Sequence, residues 1–211
     1  MDETADVGAL LDRLQAGDQL ALGELFSRYR ERLRRMIQFR LDGRLRSRVA
    51  TSDVLQEAYI DALKRLPHYQ AAPGMPFLLW LRWVTMQRLV EVHRQHLGAR
   101  MRDAGREVAF DAGGSLAASS EKIADFFGDQ TSPSQAAERA EAMDQLRAAL
   151  DRLDPTDREV LALRHFEELS NLETAAVLEI QPAAASKRYV RALERLKGAL
   201  AKLQGLDGSE I

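Results

Sequence analysis

Lys187, Arg188, Arg191 and Arg195 recur along one side of a C-terminal helical pattern. Cationic side chains at that spacing suit phosphate, and arginine also forks onto the guanine edge in a major groove. Ser186 stands beside them, and Ala183 and Ala184 precede them. Small residues at a helix start let the backbone approach base edges, and the positive end of the helix dipole favours phosphate there. On the other side Ala185, Tyr189, Ala192 and Leu196 repeat at i, i+4, i+7 and i+11, the period of a buried face. A solvated basic face is the commoner fate of such cations. What favours DNA is the context: a short capped helix and a three-residue turn come immediately before.

Other chemistry is thinly represented. With no cysteine in the chain, disulfides, thiolate-ligated zinc and a thiol nucleophile are excluded. His93 and His96 have an i, i+3 spacing that can ligate metal, but no carboxylate motif accompanies them. His68 and His165 stand alone. No phosphate-binding glycine loop, nucleophile elbow or paired-carboxylate signature is present. The expectation is a protein that is not an enzyme, with no cofactor and no metal.

The elements that must position the basic face follow from capping and periodicity. Ser170 and Glu173 have capping-box spacing and open a short helix to Leu178, with Leu172, Ala175, Ala176 and Leu178 apolar. Glu179, Ile180 and Gln181 make the turn, with Ile180 as a core plug, and Pro182 starts the last helix, to about Leu203. Upstream, Asp154-Pro155 is an N-cap followed by proline. Ser132-Pro133 opens the helix before it, which should reach about Leu153. In the first half, a helical pattern from Val7 to Leu41 breaks near Gly17-Asp18. A second helix begins at Ser52 or Asp53, with Gln56 at the capping-box position, carries a Leu55, Tyr59, Ala62, Leu66 stripe and ends at Pro67. A third runs from Phe77 to His96, with Gly98 as its stop. Between Arg100 and Thr131 periodicity fades, apart from a short helix around Glu121 to Phe127.

Composition agrees. The chain has 211 residues, 45% hydrophobic and 29% charged, enough for a packed core. Its formal net charge is -2, which read globally disfavours nucleic acid. Locally, however, nine arginines fall between Arg28 and Arg48 against Glu31 and Asp42 alone, and local basic faces set phosphate affinity. The N-terminus lacks an apolar signal core, and the apolar stretch near Phe77 to Val84 is too short to span a bilayer. A cytoplasmic protein without membrane insertion is expected. The fold class read from these features is all-α: two small helical domains joined by a flexible linker, with boundaries at 1–99, 100–131 and 132–204.

A family resemblance then enters. The stretch Asp151 to Ser170 resembles the start of sigma region four, with its R-E-V-L-x-L-R-x-F-E-x-L-S pattern. Asn171 to Lys197 is similar to that region's promoter-reading helix-turn-helix. Asp53-Val-Leu-Gln-Glu-Ala-Tyr59 with Ala62 resembles the core of sigma region two, as do Phe77-Leu-Leu-Trp-Leu81 and Gly17-Asp18 followed by Ala21 and Leu25-Phe26. The resemblance is to extracytoplasmic-function (ECF) RNA polymerase sigma factors of the sigma-70 superfamily. The spellings Met75-Pro-Phe-Leu-Leu-Trp80, Met101-Arg-Asp-Ala-Gly-Arg-Glu107 and Ala185-Ser-Lys-Arg-Tyr-Val190 look like planctomycete-type members. The chain departs from the pattern at Glu179 and Ala183, where glycine is usual, and in the order Ser186-Lys187. Glu179 would need a left-handed or adjusted turn.

The resemblance implies a sigma factor that binds core RNA polymerase through its β and β′ subunits and directs promoter recognition, melting and initiation. It implies polymerase contacts at Asp53, Gln56, Glu57 and Asp61, the last three on an exposed face. It implies capture of the -10 element by Tyr69, placed in the Pro67 to Pro76 loop, and by Gln87, Arg88 and Arg94. The -35 element would meet Ala183, Ala184, Ser186, Lys187, Arg188, Arg191 and Arg195. Trp80 reads as core, and Trp83 is left open. The existence of an anti-sigma partner is also left open. The alternatives are a two-domain helix-turn-helix regulator acting without core polymerase, an enzyme, and an interaction module that sequesters a sigma factor.

Overall fold

The computed structural model describes residues 3–71, 74–101, 117–128 and 136–203. Those residues form α-helices and one 3-10 turn, with no strand among them. The chain divides into two compact units, residues 1–112 and 113–211.

The first unit holds α1 (Glu3–Gln15), α2 (Leu20–Arg40), a 3-10 turn at Gly43–Leu45, α3 (Thr51–Ala71) and α4 (Phe77–Met101). Helices α2, α3 and α4 pack mutually, and α1 lies along α2. Leu22, Leu25, Leu33 and Ile37 of α2 meet Leu55, Ala58 and Ala62 of α3 and Leu81, Val84 and Leu89 of α4, all buried. The break between α1 and α2 falls where the sequence places it. Gly17 adopts φ +94°, a conformation that costs little only in glycine, and the Asp18 carboxylate accepts from the Leu20 N–H at 3.0 Å. Buried His93 ties α4 to the segment after α2: its Nδ1–H donates to the Leu89 carbonyl at 2.8 Å and its Nε2 accepts from the Asp42 N–H at 3.1 Å. Both nitrogens are engaged structurally and His96 is exposed, so the two histidines form no site. Among the described residues no group of potential ligands could hold a metal.

Two expectations for α3 are corrected. Asp53 is not the cap: the Asp53 and Val54 N–H groups donate to the Ala50 carbonyl, so the carboxylate lies inside the first turn, facing the positive end of the helix dipole. Nor does Pro67 end the helix, which continues to Ala71. Proline removes one N–H and frees the carbonyl four residues back, at Leu63. Both Leu63 and Pro67 are exposed, so that carbonyl lies on the side open to water. The turn beyond is held by packing: Tyr69 stacks on Trp80 with ring centroids 4.7 Å apart, and the Gln70 side chain donates to the Leu14 carbonyl at 2.6 Å. Helix α4 likewise runs through Gly98 to Met101.

The second unit holds α5 (Ser120–Gly128), α6 (Ala136–Asp151), α7 (Pro155–His165), α8 (Asn171–Val177) and α9 (Pro182–Leu203). Helix α5 lies inside the stretch read as linker, yet it packs on α6, burying Ile123 and Ala124. The Ala118 N–H donates to Glu159 at 2.9 Å, and the Ser120 hydroxyl donates to Asp151. The expected helix start at Ser132-Pro133 and most of the linker lie outside the described residues. Helices α6, α7 and α8 all pack against α9. Asp154 caps α7 by accepting from the Thr156 N–H at 2.8 Å, with Pro155 following. The Ser170 and Glu173 capping box on α8 is complete in both directions.

Candidate nucleic-acid interface

Helices α8 and α9, joined by the turn at Leu178 to Gln181, form the helix-turn-helix. Glu179 in that turn adopts φ +55°, the left-handed conformation its replacement of glycine requires. Ile180 is half-buried and its N–H donates to the Ala175 carbonyl at 3.0 Å, which closes the turn. Ala185 and Ala192 are fully buried, and Tyr189 and Leu196 are half-buried along the same stripe. Of the first helix of the motif, Thr174 and Ala175 are buried, whereas Leu172 is 69% exposed. No helix among the described residues is long and apolar enough to cross a membrane.

The basic face divides in two. Ala183, Ala184, Ser186, Lys187 and Arg191 are exposed. Arg195 is exposed as well, but it and the half-buried Arg188 reach toward α7, where Arg188 and Arg195 each donate Nη1 to one oxygen of Asp157, at 3.1 and 2.5 Å. Asp157 is 2% exposed. The expectation of one uniform outward basic face is corrected: the i, i+7 spacing puts these two arginines at the edge of the buried stripe, within reach of a carboxylate the sequence reading did not single out. The only sequence signal for Asp157 was its position in the first turn of a capped helix.

In the first unit, the residues assigned to separate tasks meet one another. Arg88 donates Nε and Nη2 to Asp61, at 2.9 and 2.5 Å, and its Nη1 lies 3.4 Å from Glu57. The Asp61 side chain is 14% exposed. Asp61 is therefore not on the open face as expected; it lines the α3–α4 seam, where it neutralises Arg88. Asp53, Gln56 and Glu57 are exposed, as are Gln87 and Arg94, the latter 4.0 Å from Glu91. Tyr69 belongs to α3 rather than to a loop. Its hydroxyl donates to the Met75 carbonyl at 3.1 Å, and burial pushes its phenol pKa up, so it stays a neutral donor.

Trp80 is core at 5% exposure, as expected, while Trp83 is 43% exposed with the Arg65 guanidinium 5.0 Å over its ring. Two further residues escaped the sequence reading. Ile60 and Leu63, 43% and 36% exposed, lie off the buried stripe of α3 on the side of Gln56 and Glu57. Their only signal was that neither fits the Leu55, Tyr59, Ala62, Leu66 period. The nine-arginine cluster is largely engaged within the unit: Arg40 is buried, Arg28 pairs with Asp6, Arg34 with Glu31 at 2.6 Å and Arg44 with Asp42 at 2.8 Å. The Arg44 bond holds the Asp42 carboxyl at a pKa of about 2.

An all-helical bundle followed by a capped helix-turn-helix with an exposed basic face defines a two-domain DNA-binding protein. Comparison with known proteins places it more closely. The ECF sigma factor family model matches residues 4–202, and the chain belongs to that family. It is 30% identical over 189 residues to the ECF RNA polymerase sigma factor SigD of Mycobacterium tuberculosis, covering 90% of this chain and 81% of SigD. It is 28% identical over 198 residues to the ECF RNA polymerase sigma factor BldN of Streptomyces coelicolor, covering 92% of this chain and 67% of BldN. Its fold is similar to that of CnrH, solved in complex with the cytosolic domain of CnrY, with a TM-score of 0.50, 21% identity and coverage of 92% and 96% of the two chains. Membership makes the chain an RNA-polymerase-binding factor that directs initiation to promoters, and sets aside the regulator acting without core polymerase.

Proposed function

We propose that the first unit carries the contacts to core polymerase and to the melted -10 element, and that the second unit reads the -35 element as duplex. The exposed face of α9, with Ser186, Lys187 and Arg191 beside a closely approachable Ala183-Ala184 start, carries the second assignment. Arg188 and Arg195 flank it. On α3, Asp53, Gln56 and Glu57 offer acidic and polar groups next to the exposed Ile60 and Leu63, a mixed surface suited to a helical partner on β′. Tyr69, Gln87, Arg88 and Arg94 remain the candidates for the -10 element, with Asp61 holding Arg88 in place until DNA competes for it. Binding energy at both elements offsets the cost of unpairing DNA, while core polymerase performs the nucleotide chemistry. The chain itself is not an enzyme and needs no cofactor.

A cytoplasmic location and a planctomycete-type source belong to the same reading, the latter on the three spellings given above. An anti-sigma partner fits it too: CnrH, a protein of similar fold, is held in complex with the cytosolic domain of CnrY.

The test is transcription with core polymerase on a promoter library from the chain's own source. Transcripts that require the chain and share paired upstream elements are expected. Arg191→Ala should lower upstream-element-dependent output by about 10- to 100-fold, the worth of a bidentate base contact. Arg188→Ala should weaken promoter binding in a gel shift. Initiation unaffected by both substitutions would remove α9 from promoter reading.

A further inference from the structure

Asp157 does what neither the capping pattern nor the basic face of α9 explains. It stands in the first turn of α7, where the helix dipole favours a carboxylate, and it is almost wholly buried. Its two oxygens are divided between two arginines of α9, Arg188 on Oδ1 and Arg195 on Oδ2. These arginines are two helical turns, about 10.5 Å, apart along α9. Each lends only Nη1 to the carboxylate, and their side chains stay 40% and 59% exposed. Asp154 adds a second, more distant negative charge, 3.9 Å from Arg188. Counted together, the two guanidinium groups and the two carboxylates balance in charge, and only Nη1 of each arginine is engaged by them. A structural ion pair needs only one arginine. Two, held on separate oxygens and still accessible, form a pre-aimed pair of cationic forks along one edge of the face that carries the exposed Lys187 and Arg191.

We infer that Asp157 is a positioning residue for promoter binding: it fixes Arg188 and Arg195 so that their remaining N–H groups clamp two DNA phosphates, leaving Ser186, Lys187 and Arg191 to meet the base edges. This rests on the reading that the second unit binds the upstream element as duplex. A guanidinium held by a buried carboxylate has little rotamer freedom left to lose on binding, and a charge-assisted hydrogen bond to phosphate needs that planar geometry. Phosphate contacts carry no sequence information and fix the register of the helix on the duplex. Asp157 therefore governs affinity and salt dependence, not the identity of the preferred bases.

The experiment uses holoenzyme assembled from full-length chain and core polymerase. Wild-type holoenzyme first selects from duplexes with a randomised upstream element. If no upstream element is enriched, the reading of the second unit fails and the role of Asp157 falls with it. If one is enriched, binding of that duplex is measured across salt for Asp157→Asn, Arg188→Ala/Arg195→Ala and the triple variant. Asp157→Asn is expected to bind about tenfold more weakly, with the same base preference and a salt slope shallower by about 1 to 2. The triple variant should bind like the arginine double, since the carboxylate then has nothing to position.

Wild-type or tighter binding by Asp157→Asn, loss of base preference, or a loss that adds to that of the arginine double would each overturn the proposal. Should Asp157→Asn fail to fold, the arginine double decides alone, because its substituted side chains are largely accessible: a wild-type salt slope there overturns the proposal, and a shallower one with unchanged base preference upholds it.

Discussion

Helices α2 and α3 of the first unit each run 21 residues, whereas α7 and α8 of the second span 11 and 7. Their ends are set by different means. Gln19, at the start of α2, makes no side-chain cap and leaves Asp18 to accept from the Leu20 N–H, and α3 passes through a proline without stopping. What holds that stretch is an aromatic cluster: Tyr69 stacks on Trp80, meets Phe77 edge-on at 5.5 Å, and Phe77 and Trp80 lie 5.4 Å apart. In the second unit the caps are explicit. Asp154 and Ser170 each satisfy an N–H that the helix cannot, and the helices stop within a residue or two of where those caps and the following turn place them. Long helices derive their stability from an apolar face, so tertiary packing can override a local breaker. A seven-residue helix has too little face for that and depends on its ends.

The largest test of this difference is Trp80→Ala. Removing a large buried aromatic ring costs about 3–5 kcal/mol. The cost should be concentrated where the ring supports the turn beyond Pro67. Urea denaturation gives the total, and hydrogen exchange of the α3 and α4 amides gives the location. A cost below about 1 kcal/mol would show that the aromatic cluster does not carry α3 past its proline.

A smaller test addresses the second unit, where local geometry rules. Glu179 and Glu168 both adopt positive φ, 55° and 52°. A non-glycine residue there carries strain of about 1–2 kcal/mol, partly offset because glycine is more flexible when unfolded. Glu179→Gly should therefore stabilise the protein by about 0.5–1 kcal/mol, read as a raised urea midpoint at unchanged slope. An unchanged or lowered midpoint would mean that the glutamate side chain makes a compensating interaction in the turn.

The same contrast explains what the sequence disclosed. The caps at Asp154 and Ser170 and the proline starts at Pro155 and Pro182 were legible because each is a property of three or four neighbouring residues, whereas the left-handed or adjusted turn at Glu179 was expected only from the resemblance, where glycine is usual. The helical apolar stripe likewise marked Trp80 as core, while Trp83 stayed open until the structure showed it exposed. The passage through Pro67 was not legible, since it depends on Trp80 and Leu14, distant along the chain. Nor were the Asp61–Arg88 and Asp157–Arg188–Arg195 contacts, which cross between helices. Charge counted along a sequence does not say which cations are already paired. That is why nine arginines between 28 and 48 read as a basic surface, and why the face of α9 read as uniform.

The smallest expected effect lies at the edge of α9, where a long-range contact enters the capped unit. The Tyr189 hydroxyl lies 3.1 Å from His165 Nε2, and the Arg164 guanidinium sits 5.2 Å over the Tyr189 ring. Burial, and secondarily the Arg164 charge, lower the His165 pKa from its usual 6.5. The folded protein thus binds a proton there less readily than the unfolded chain. Stability is retained above the unfolded value and is lost as pH falls through it, because the unfolded state then takes up more protons. Between about pH 7.5 and 5.5, urea midpoints of the wild type should fall more steeply than those of His165→Gln. Parallel curves would show that His165 adds nothing to the acid response. A steeper wild-type curve would mean that acid loosens the Tyr189 anchor of α9, so that even the unit governed by its caps holds its last helix partly through contacts made between helices.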